Sequence, residues 1–199
     1  MLPVYNILDF ETTGFSADYD RVIEVGVVKI HKGQIVERFQ EFINPGVRIP
    51  RAITNLTGIT NEMVKNSGTN TEVMPRLKSF LKEELIIAHN ASFDARFFKA
   101  EMTRLEIPCE NEFICSLLLA RRVFQNLNSH KLGNLCQYLG FINKDSHRAL
   151  EDAEVTAKVF DAIYNEVAQK SNKLDLDFIY LKKLSKVAKK NVNEWLRNN

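Results

Sequence analysis

The stretch that decides the fold reads Val4-Tyr5-Asn6-Ile7-Leu8-Asp9-Phe10-Glu11-Thr12-Thr13-Gly14. Residues 4–10 are mostly apolar and predict a buried strand, in which side chains alternate between the two faces of a sheet. Asp9 and Glu11 therefore point to the same face, separated by the inward-facing Phe10. The Thr-Thr-Gly that follows ends the strand and brings backbone close to whatever the acids hold. Two carboxylates in this setting indicate either metal ligands or a solvated strand end.

A third acid, Asp94, lies on a predicted helix that follows a short apolar strand and for which Ser92 is the predicted N-cap. Its helical neighbours at i+3, i+4 and i+11 are Phe97, Phe98 and Leu105. The carboxylate therefore lies on the helix face that packs against the sheet.

A fourth acid, Asp152, has the same setting, because its helix face continues through Val155, Thr156, Val159 and Ile163. An acid in the first turn of a helix also stabilises the helix dipole. That alternative does not explain why both helical acids lie on the apolar side.

A histidine, His147, precedes Asp152 by five residues. Within one regular helix the two side chains would be roughly 140° apart and would not share a target. Ser146 indicates that the helix begins there, which leaves His147 on a loop or in the first turn. Such a histidine is often simply exposed. Next to four acids it fits a general base, because an ordinary imidazole titrates near neutral pH.

The four acids together need a partner, because an isolated carboxylate is costly to bury. Two hard divalent cations, Mg²⁺ or Mn²⁺, would remove that cost and supply phosphodiester chemistry. The three runs of residues therefore predict a two-metal phosphodiesterase site.

At this point the chain resembles the DEDDh 3′–5′ exonucleases, typified by the proofreading subunit of bacterial replicative DNA polymerase. The signature is Asp9-x-Glu11, Asp94 and His147-x4-Asp152, and the resemblance covers roughly residues 4 to 168. Further runs match in the same order: Val22-Ile23-Glu24-Val25-Gly26, Leu56-Thr57-Gly58-Ile59-Thr60, Ala88-His89-Asn90-Ala91 and His147-Arg148-Ala149-Leu150.

The resemblance implies a role for each acid. Asp9, Glu11 and Asp152 would hold the cation that carries the attacking water. Asp9 and Asp94 would hold the second cation, which stabilises the leaving oxygen. His147 would deprotonate the water.

The resemblance also implies substrate contacts from Thr12, Thr13, Gly14, Leu56, Asn90 and Phe93. The first three would line the terminal nucleotide, while Leu56 and Phe93 would wedge and stack the last bases. Proofreading subunits often carry His where this chain has Thr57, so contacts to the 3′ end are expected to differ.

Composition agrees with a single enzyme domain that can bury a core, since 45% of the 199 residues are hydrophobic. No apolar run long enough to span a membrane and no secretory signal are found. The three cysteines form no CxxC pair and are expected to be reduced thiols rather than zinc ligands. These observations predict a cytoplasmic protein.

The predicted fold class is α/β. Strands are expected near 4–10, 21–30, 35–42, 85–89 and 111–115, and helices near 71–81, 92–104, 116–124, 131–139 and 147–168, with short helical pieces between 50 and 66. This order predicts a mixed central sheet flanked by helices, which is the ribonuclease H-like fold that the resemblance implies.

The domain organisation is predicted to be an exonuclease domain over 1–168 and a basic, helical extension over 169–199. Residues 170–199 hold eight Lys or Arg and three acids, a net charge of +5 in a chain of net charge +2. The lysines either contact nucleic acid or surround a packed helix with the apolar stripe Leu181, Leu184, Val187 and Ala188. Residues 174–178 weakly resemble peptides that bind sliding clamps.

The predicted function is a metal-dependent 3′–5′ exonuclease that releases nucleoside monophosphates from single-stranded or frayed DNA 3′ ends, in proofreading, repair or end processing, with a polymerase as a possible partner. An exoribonuclease acting on short RNA or RNA tails would use the same catalytic residues. The first Thr of the Glu-Thr-Thr-Gly run favours the polymerase-associated branch over the oligoribonucleases, which usually carry Met there. A non-catalytic binding module would be expected to lack at least one of the acids.

Overall fold

The computed structural model describes residues 2–142 and 147–199. The strands are β1 (Tyr5–Thr12), β2 (Val22–His31), β3 (Gln34–Phe42), β4 (Leu85–Ala88) and β5 (Phe113–Cys115). The helices are α1 (Arg51–Thr57), α2 (Asn61–Val64), α3 (Asn70–Leu81), α4 (Ser92–Arg104), α5 (Ser116–Val123), α6 (Leu132–Leu139), α7 (Ala149–Ser171), α8 (Phe178–Lys186) and α9 (Val192–Asn198). The predicted elements are therefore present, with ends displaced by a few residues.

The five strands form one sheet in the order β3-β2-β1-β4-β5. The first three strands form an antiparallel meander, whereas β4 runs parallel to β1 and β5 runs parallel to β4. This is the mixed sheet that the sequence predicts. The strand that carries Asp9 and Glu11 lies at its centre.

Alternation along β1 divides the core into two layers. Tyr5 and Ile7 point into a large apolar cluster that also contains residues of α5 and α7. Leu8 and Phe10 point to the other side, into a cluster with residues of α3 and α4. Asp9 and Glu11 share the alternation of Tyr5 and Ile7, so they face the layer that contains α7.

The C-terminal residues are helical, as predicted, and they pack on the core. Leu181 and Leu184 of α8 and Leu196 of α9 are buried in the same cluster as Ile7. The helix ends at Lys186, so Ala188 is exposed and does not extend the predicted apolar stripe. Because α7 runs without a break to Ser171, the division of the chain at residue 168 stays a prediction.

Two further expectations concern chain chemistry. Within residues 2–142 and 147–199, no helix combines the length and the apolar character needed to cross a membrane. Cys109, Cys115 and Cys136 are all free thiols, as expected.

Candidate active site

The site forms where β1 extends past its neighbour. β4 pairs with β1 only through residues 5–7 and ends at Ala88, while β1 continues to Thr12. The backbone N–H of Phe10 is thereby left without a strand partner on that side, and it donates to Oδ1 of Asp94 at 3.2 Å. The first turn of α4 therefore completes the open edge of β1 and places its carboxylate beside Asp9.

A cavity of about 370 Å³ lies at this point. Its lining includes the five predicted catalytic residues, Asp9, Glu11, Asp94, His147 and Asp152. Four of the six predicted substrate residues also line it: Thr12, Leu56, Asn90 and Phe93. The sequence signature therefore corresponds to one concave surface built from β1, α1, α4 and the start of α7.

Burial, and after it mutual repulsion of Asp9 and Glu11 with neighbouring acids, dominates the electrostatics of the cavity. Burial, then the charges of Asp94, Asp152, Glu11 and Glu24, raises the pKa of Asp9 well above its ordinary value. Burial, with the charge of Asp152 next, raises the pKa of Glu11 to about 8.

The pKa of Asp94 is raised in the same way. Burial raises the pKa of Asp94 to about 7, although its own backbone N–H and that of Phe10 favour the charged form. The protein alone thus gives these carboxylates too little positive charge to ionise together near neutral pH. This is the electrostatic state that bound cations relieve.

The ligand atoms of one subset lie close enough to share an ion. Atoms of Glu11, His147 and Asp152 all lie within 4.8 Å of one another. Carboxylate oxygens are the ligands that Mg²⁺ and Mn²⁺ prefer. The donor set of the cavity therefore fits hard divalent cations.

His147 has an unusual backbone, with a φ angle of +70°. Its N–H donates to Oδ2 of Asp152 at 2.9 Å, and its side chain is exposed in the cavity. The helix begins two residues later, with Arg148 as its N-cap. Of the two predicted positions for His147, a loop or the first helical turn, the structure shows the loop; Ser146, the expected helix start, lies outside the described residues.

One capping prediction is wrong. Ser92 is the first residue of α4 rather than its cap, and the N-cap position belongs to Ala91, whose helical backbone makes no side-chain capping bond. The turn after β4 runs directly into the helix, so Asp94 reaches β1 without a separate cap.

Glu24 is a residue next to the site whose structural role the sequence did not reveal. It lies opposite Glu11 in the antiparallel pair and is completely buried. Its carboxylate accepts bonds from Nη2 of Arg148 at 3.0 Å and from the backbone N–H of Ala149 at 3.2 Å. Gln40 donates a further bond at 3.0 Å. Glu24 therefore anchors the residues that immediately follow His147.

Gly26 brings the same helix start close to the sheet. It lies opposite Asp9, and a Cβ atom at this position would overlap the backbone of Ala149 and Leu150. Only glycine permits this approach, which brings α7 and hence Asp152 to the strand that carries Asp9. The signal in the sequence was an acid and a glycine inside the apolar run 22–28.

Thr13 and Gly14 do not line the cavity, and both lie against Asp20 instead. The Thr13 hydroxyl donates to Asp20 at 3.2 Å, and Asp20 also accepts the backbone N–H of Ser16 at 2.8 Å. A Cβ atom on Gly14 would overlap the Asp20 carboxylate. These two residues close the loop that follows β1, while Phe15 at its tip is 73% exposed and lines the cavity.

Leu56, Thr57 and Phe93 of the cavity lining differ in how far they are exposed. Leu56 is 46% exposed on α1, and the ring of Phe93 packs on Phe97 at 4.8 Å. Thr57 is buried; its hydroxyl donates to the carbonyl of Ile53 and accepts the N–H of Ile59. The residue at which the chain departs from the proofreading subunits thus stabilises the end of α1.

His89 is a second residue that the sequence left without a role. Its Nε2 lies 2.9 Å from the carbonyl oxygen of His130, and its Nδ1 lies 2.9 Å from the hydroxyl of Ser116. Burial lowers the pKa of His89 to about 4, so the ring is neutral and Nε2 carries the hydrogen. It ties the loop before α6, and with it Leu132 of the cavity wall, to the end of β4.

Comparisons with known proteins agree on one family. The sequence profile of the RNase T type exonuclease family matches residues 7–160. The DNA polymerase III PolC-type protein of Clostridium perfringens is 35% identical over 183 residues, which is 92% of this chain and 13% of that protein. The chain thus spans between a tenth and a seventh of the length of the curated relatives that it matches.

Solved structures show the same fold. Exonuclease X in complex with 5′ overhanging duplex DNA superposes with a TM-score of 0.67 at 27% identity, over 83% of this chain and 92% of that chain. The nuclease domain of 3′hExo, a DEDDh family member bound to rAMP, superposes with a TM-score of 0.71 at 18% identity, over 82% of this chain and 92% of that chain.

Proposed function

Since this chain belongs to the RNase T type exonuclease family, we propose that it removes nucleotides one at a time from the 3′ ends of DNA, with two divalent cations. One observation carries the proposal. Four carboxylates and an imidazole, from three separate elements, converge on one cavity of about 370 Å³.

The acids divide naturally between two ions. Asp9, Glu11 and Asp152 would hold one cation, and Asp9 with Asp94 would hold the other. When bound, such a pair activates water and neutralises charge on the scissile phosphate. The raised pKa values of Asp9, Glu11 and Asp94 support the binding of cations in general, because burial destabilises the charged form of each carboxylate and a bound cation would stabilise it.

His147 would act as the general base. Its ligand atom lies within 4.8 Å of those of Glu11 and Asp152, next to the place where the attacking water would be held. The ring would take a proton from the water as its oxygen bonds to phosphorus. The bond from phosphorus to the 3′ oxygen of the preceding nucleotide breaks, which releases a nucleoside 5′-monophosphate.

The terminal nucleotide would lie along Thr12 and the loop tip at Phe15. Leu56 of α1 and Phe93 of α4, which both line the cavity, would contact the last bases. Their exposed apolar surface supports this role, because aromatic and apolar side chains bind unpaired bases with little preference for sequence.

A polymerase partner is part of the proposal. The relatives named DNA polymerase III PolC-type carry a matching segment within a much longer chain. We do not extend the proposal to a sliding clamp through residues 174–178. Leu176 is buried in the core and Phe178 packs edge-on against Tyr5 at 5.6 Å, so the folded chain does not present this segment as a free peptide.

The experiment compares degradation of 3′-labelled single-stranded DNA, recessed duplex DNA and RNA of the same sequence, in Mg²⁺, in Mn²⁺ and in excess chelator. We expect mononucleotide release from DNA ends that requires the metal. Asp152→Asn should reduce turnover at least about 10³-fold. Asp161→Asn, which changes an exposed acid on the same helix, is the matched control.

Three results would contradict the proposal. Undiminished hydrolysis in chelator would exclude the metal-dependent mechanism. Preferential degradation of the RNA would identify an exoribonuclease instead. Release of long fragments rather than mononucleotides would show that the chain does not act from an end.

A further inference from the structure

A second concave surface lies beside the active-site cavity. This groove, hereafter the α4 groove, is bounded by residues 16–18 on one side and by the outward face of α4 from Arg96 to Arg104 on the other. Its volume is about 500 Å³. The basic side chains of Arg96, Lys99 and Arg104 line it, with Asp18 as the acid in the lining.

One wall of the groove is already fixed. The guanidinium of Arg104 donates to the carbonyl oxygens of Ala17 and Asp18 and lies 3.3 Å from Glu101. Glu101 is completely buried and also accepts two bonds from Arg21, at 2.9 and 3.0 Å. These contacts hold residues 16–18 against α4, so the two walls of the α4 groove are fixed relative to each other. Arg104 is occupied by the same contacts.

Two basic side chains of the α4 groove, Arg96 and Lys99, remain available to contact a ligand. Arg96 donates its Nε–H to the carbonyl of Ser92 in its own helix, and neither Arg96 nor Lys99 forms an ion pair within the described parts of the chain. Both side chains are exposed. They lie three residues apart, so they project from the same helix face.

The linings of the groove and of the active-site cavity adjoin on both walls. In the loop, Phe15 lines the cavity and Ser16 lines the groove. On α4, Phe93 lines the cavity and Arg96 follows one turn later in the groove. Phe93 and Lys99 are roughly 9 Å apart along the helix axis, a distance that corresponds to about two to three nucleotides of one strand.

We propose that the α4 groove binds the phosphates of nucleotides two to four positions from the terminal nucleotide. The inference rests on the proposed exonuclease function. It adds a binding site for the substrate backbone, in which Lys99 and Arg96 contact phosphates without contacting the scissile bond. The phosphates come from the strand being degraded or from its complement, and both sources present the same anion.

The test uses the double variant Arg96→Ala/Lys99→Ala and a series of DNA substrates. A dinucleotide has no phosphate beyond the scissile one, whereas an eight-nucleotide strand can fill the groove. For the longer strand, either alone or recessed in a duplex, we expect KM to rise about 10-fold. The slope of log KM against log salt should fall by about 1.4 for a single strand or about 1.8 for a duplex, as two phosphate contacts are lost. The turnover number at saturation and the kinetics on the dinucleotide should stay within twofold of the wild-type values.

The matched control is Lys183→Ala. Lys183 is also an exposed helical lysine, and its helix, α8, packs on the opposite side of the sheet from α4. Its replacement should leave KM and the salt slope for every substrate unchanged. A parallel loss in this variant would show that any surface lysine has the same effect and would overturn the assignment to the groove.

Comparing single-stranded DNA with recessed duplex DNA identifies which strand supplies the phosphates. A loss of affinity with single-stranded DNA assigns the degraded strand, and a loss confined to recessed duplex DNA assigns the complement. Unchanged KM and salt slope with both forms would overturn the proposal. Anisotropy of a labelled oligonucleotide measures binding without turnover, so weaker binding by the double variant would support the groove even if the proposed exonuclease activity failed.

Discussion

Replacing Gly26 with alanine tests the packing that assembles the active site. Gly26 lies on the central part of β2, opposite Asp9, and its Cα faces the backbone of Ala149 and Leu150. An added methyl group would overlap main-chain atoms rather than the end of a flexible side chain. The strain can only be relieved if the start of α7 moves away from the sheet.

The size of the effect follows from that movement. The overlap requires a displacement of about 1 Å, and a misplacement of that size at catalytic groups costs about 10²-fold in rate. Because His147 and Asp152 flank the displaced residues, we expect the turnover number to fall by about that factor. Overpacking should also lower the free energy of unfolding by about 1–3 kcal/mol.

The assay measures turnover on single-stranded DNA and the melting temperature of the same preparations in Mg²⁺. Gly133→Ala is the control, because a Cβ atom there meets nothing within 4 Å and its helical position favours alanine. It should keep full activity and melt at the same or a higher temperature. Wild-type turnover and melting temperature in Gly26→Ala would refute the claim that this contact positions α7.

Further outcomes follow from the cavity and the tail. His147→Asn removes the proposed general base but keeps a residue type that tolerates the positive φ. Single-turnover measurements should show a chemical step slowed about 10²–10⁴-fold and a pH–rate profile without its acidic limb. A main effect on metal affinity would make His147 a ligand instead. In chelator, the folded chain retains protons on Glu11 (pKa about 8) and Asp94 (pKa about 7) that the unfolded chain has already released. The free energy of unfolding should therefore fall as pH rises from about 5 to 8. Mg²⁺ should abolish that fall, and a melting temperature in chelator that does not change with pH would contradict the prediction. Glu24→Gln removes the charge that faces the one-third exposed Arg148 and weakens the bond from Ala149, so we expect the free energy of unfolding to drop by about 1–3 kcal/mol in urea titrations; an unchanged midpoint would exclude a supporting role. Removing residues 170–199 exposes core side chains and should lower the melting temperature, whereas a lower salt slope with unchanged melting would show that the tail binds nucleic acid instead.

Local pattern was sufficient to predict most of the fold. The period of two in residues 4–10 placed Asp9 and Glu11 on one face, and the period of 3.6 after Asp94 and Asp152 placed both helical acids toward the sheet. These predictions held because burial and periodicity act together over many residues. Helix ends were less predictable: α4 begins without a side-chain cap, and its first turn accepts a hydrogen bond from Phe10 of β1, a contact that only the tertiary structure reveals.

The supporting residues of the site could not be predicted in the same way. Glu24 and Arg148 are 124 positions apart in the chain, and their pairing becomes visible only when β2 and α7 meet. The positive φ of His147 is equally hidden, because only a small minority of histidines adopt that conformation even though the residue type tolerates it. The predicted contacts of Thr13 and Gly14 with substrate stay predictions, since in the structure both residues close the loop through Asp20.

The loop closed by Asp20 has a consequence for the thermodynamics of binding. Residues 14–18 are held from within by Asp20 and from outside by Arg104 before any substrate arrives. Ordering a flexible backbone costs about 1–2 kcal/mol per residue, so five mobile residues would subtract about 5–10 kcal/mol from the affinity for a DNA end. In this protein the fold has already met that entropic cost. If the proposed function holds, contacts to an incoming DNA strand can therefore be few and individually weak, because this loop need not be ordered when the strand binds.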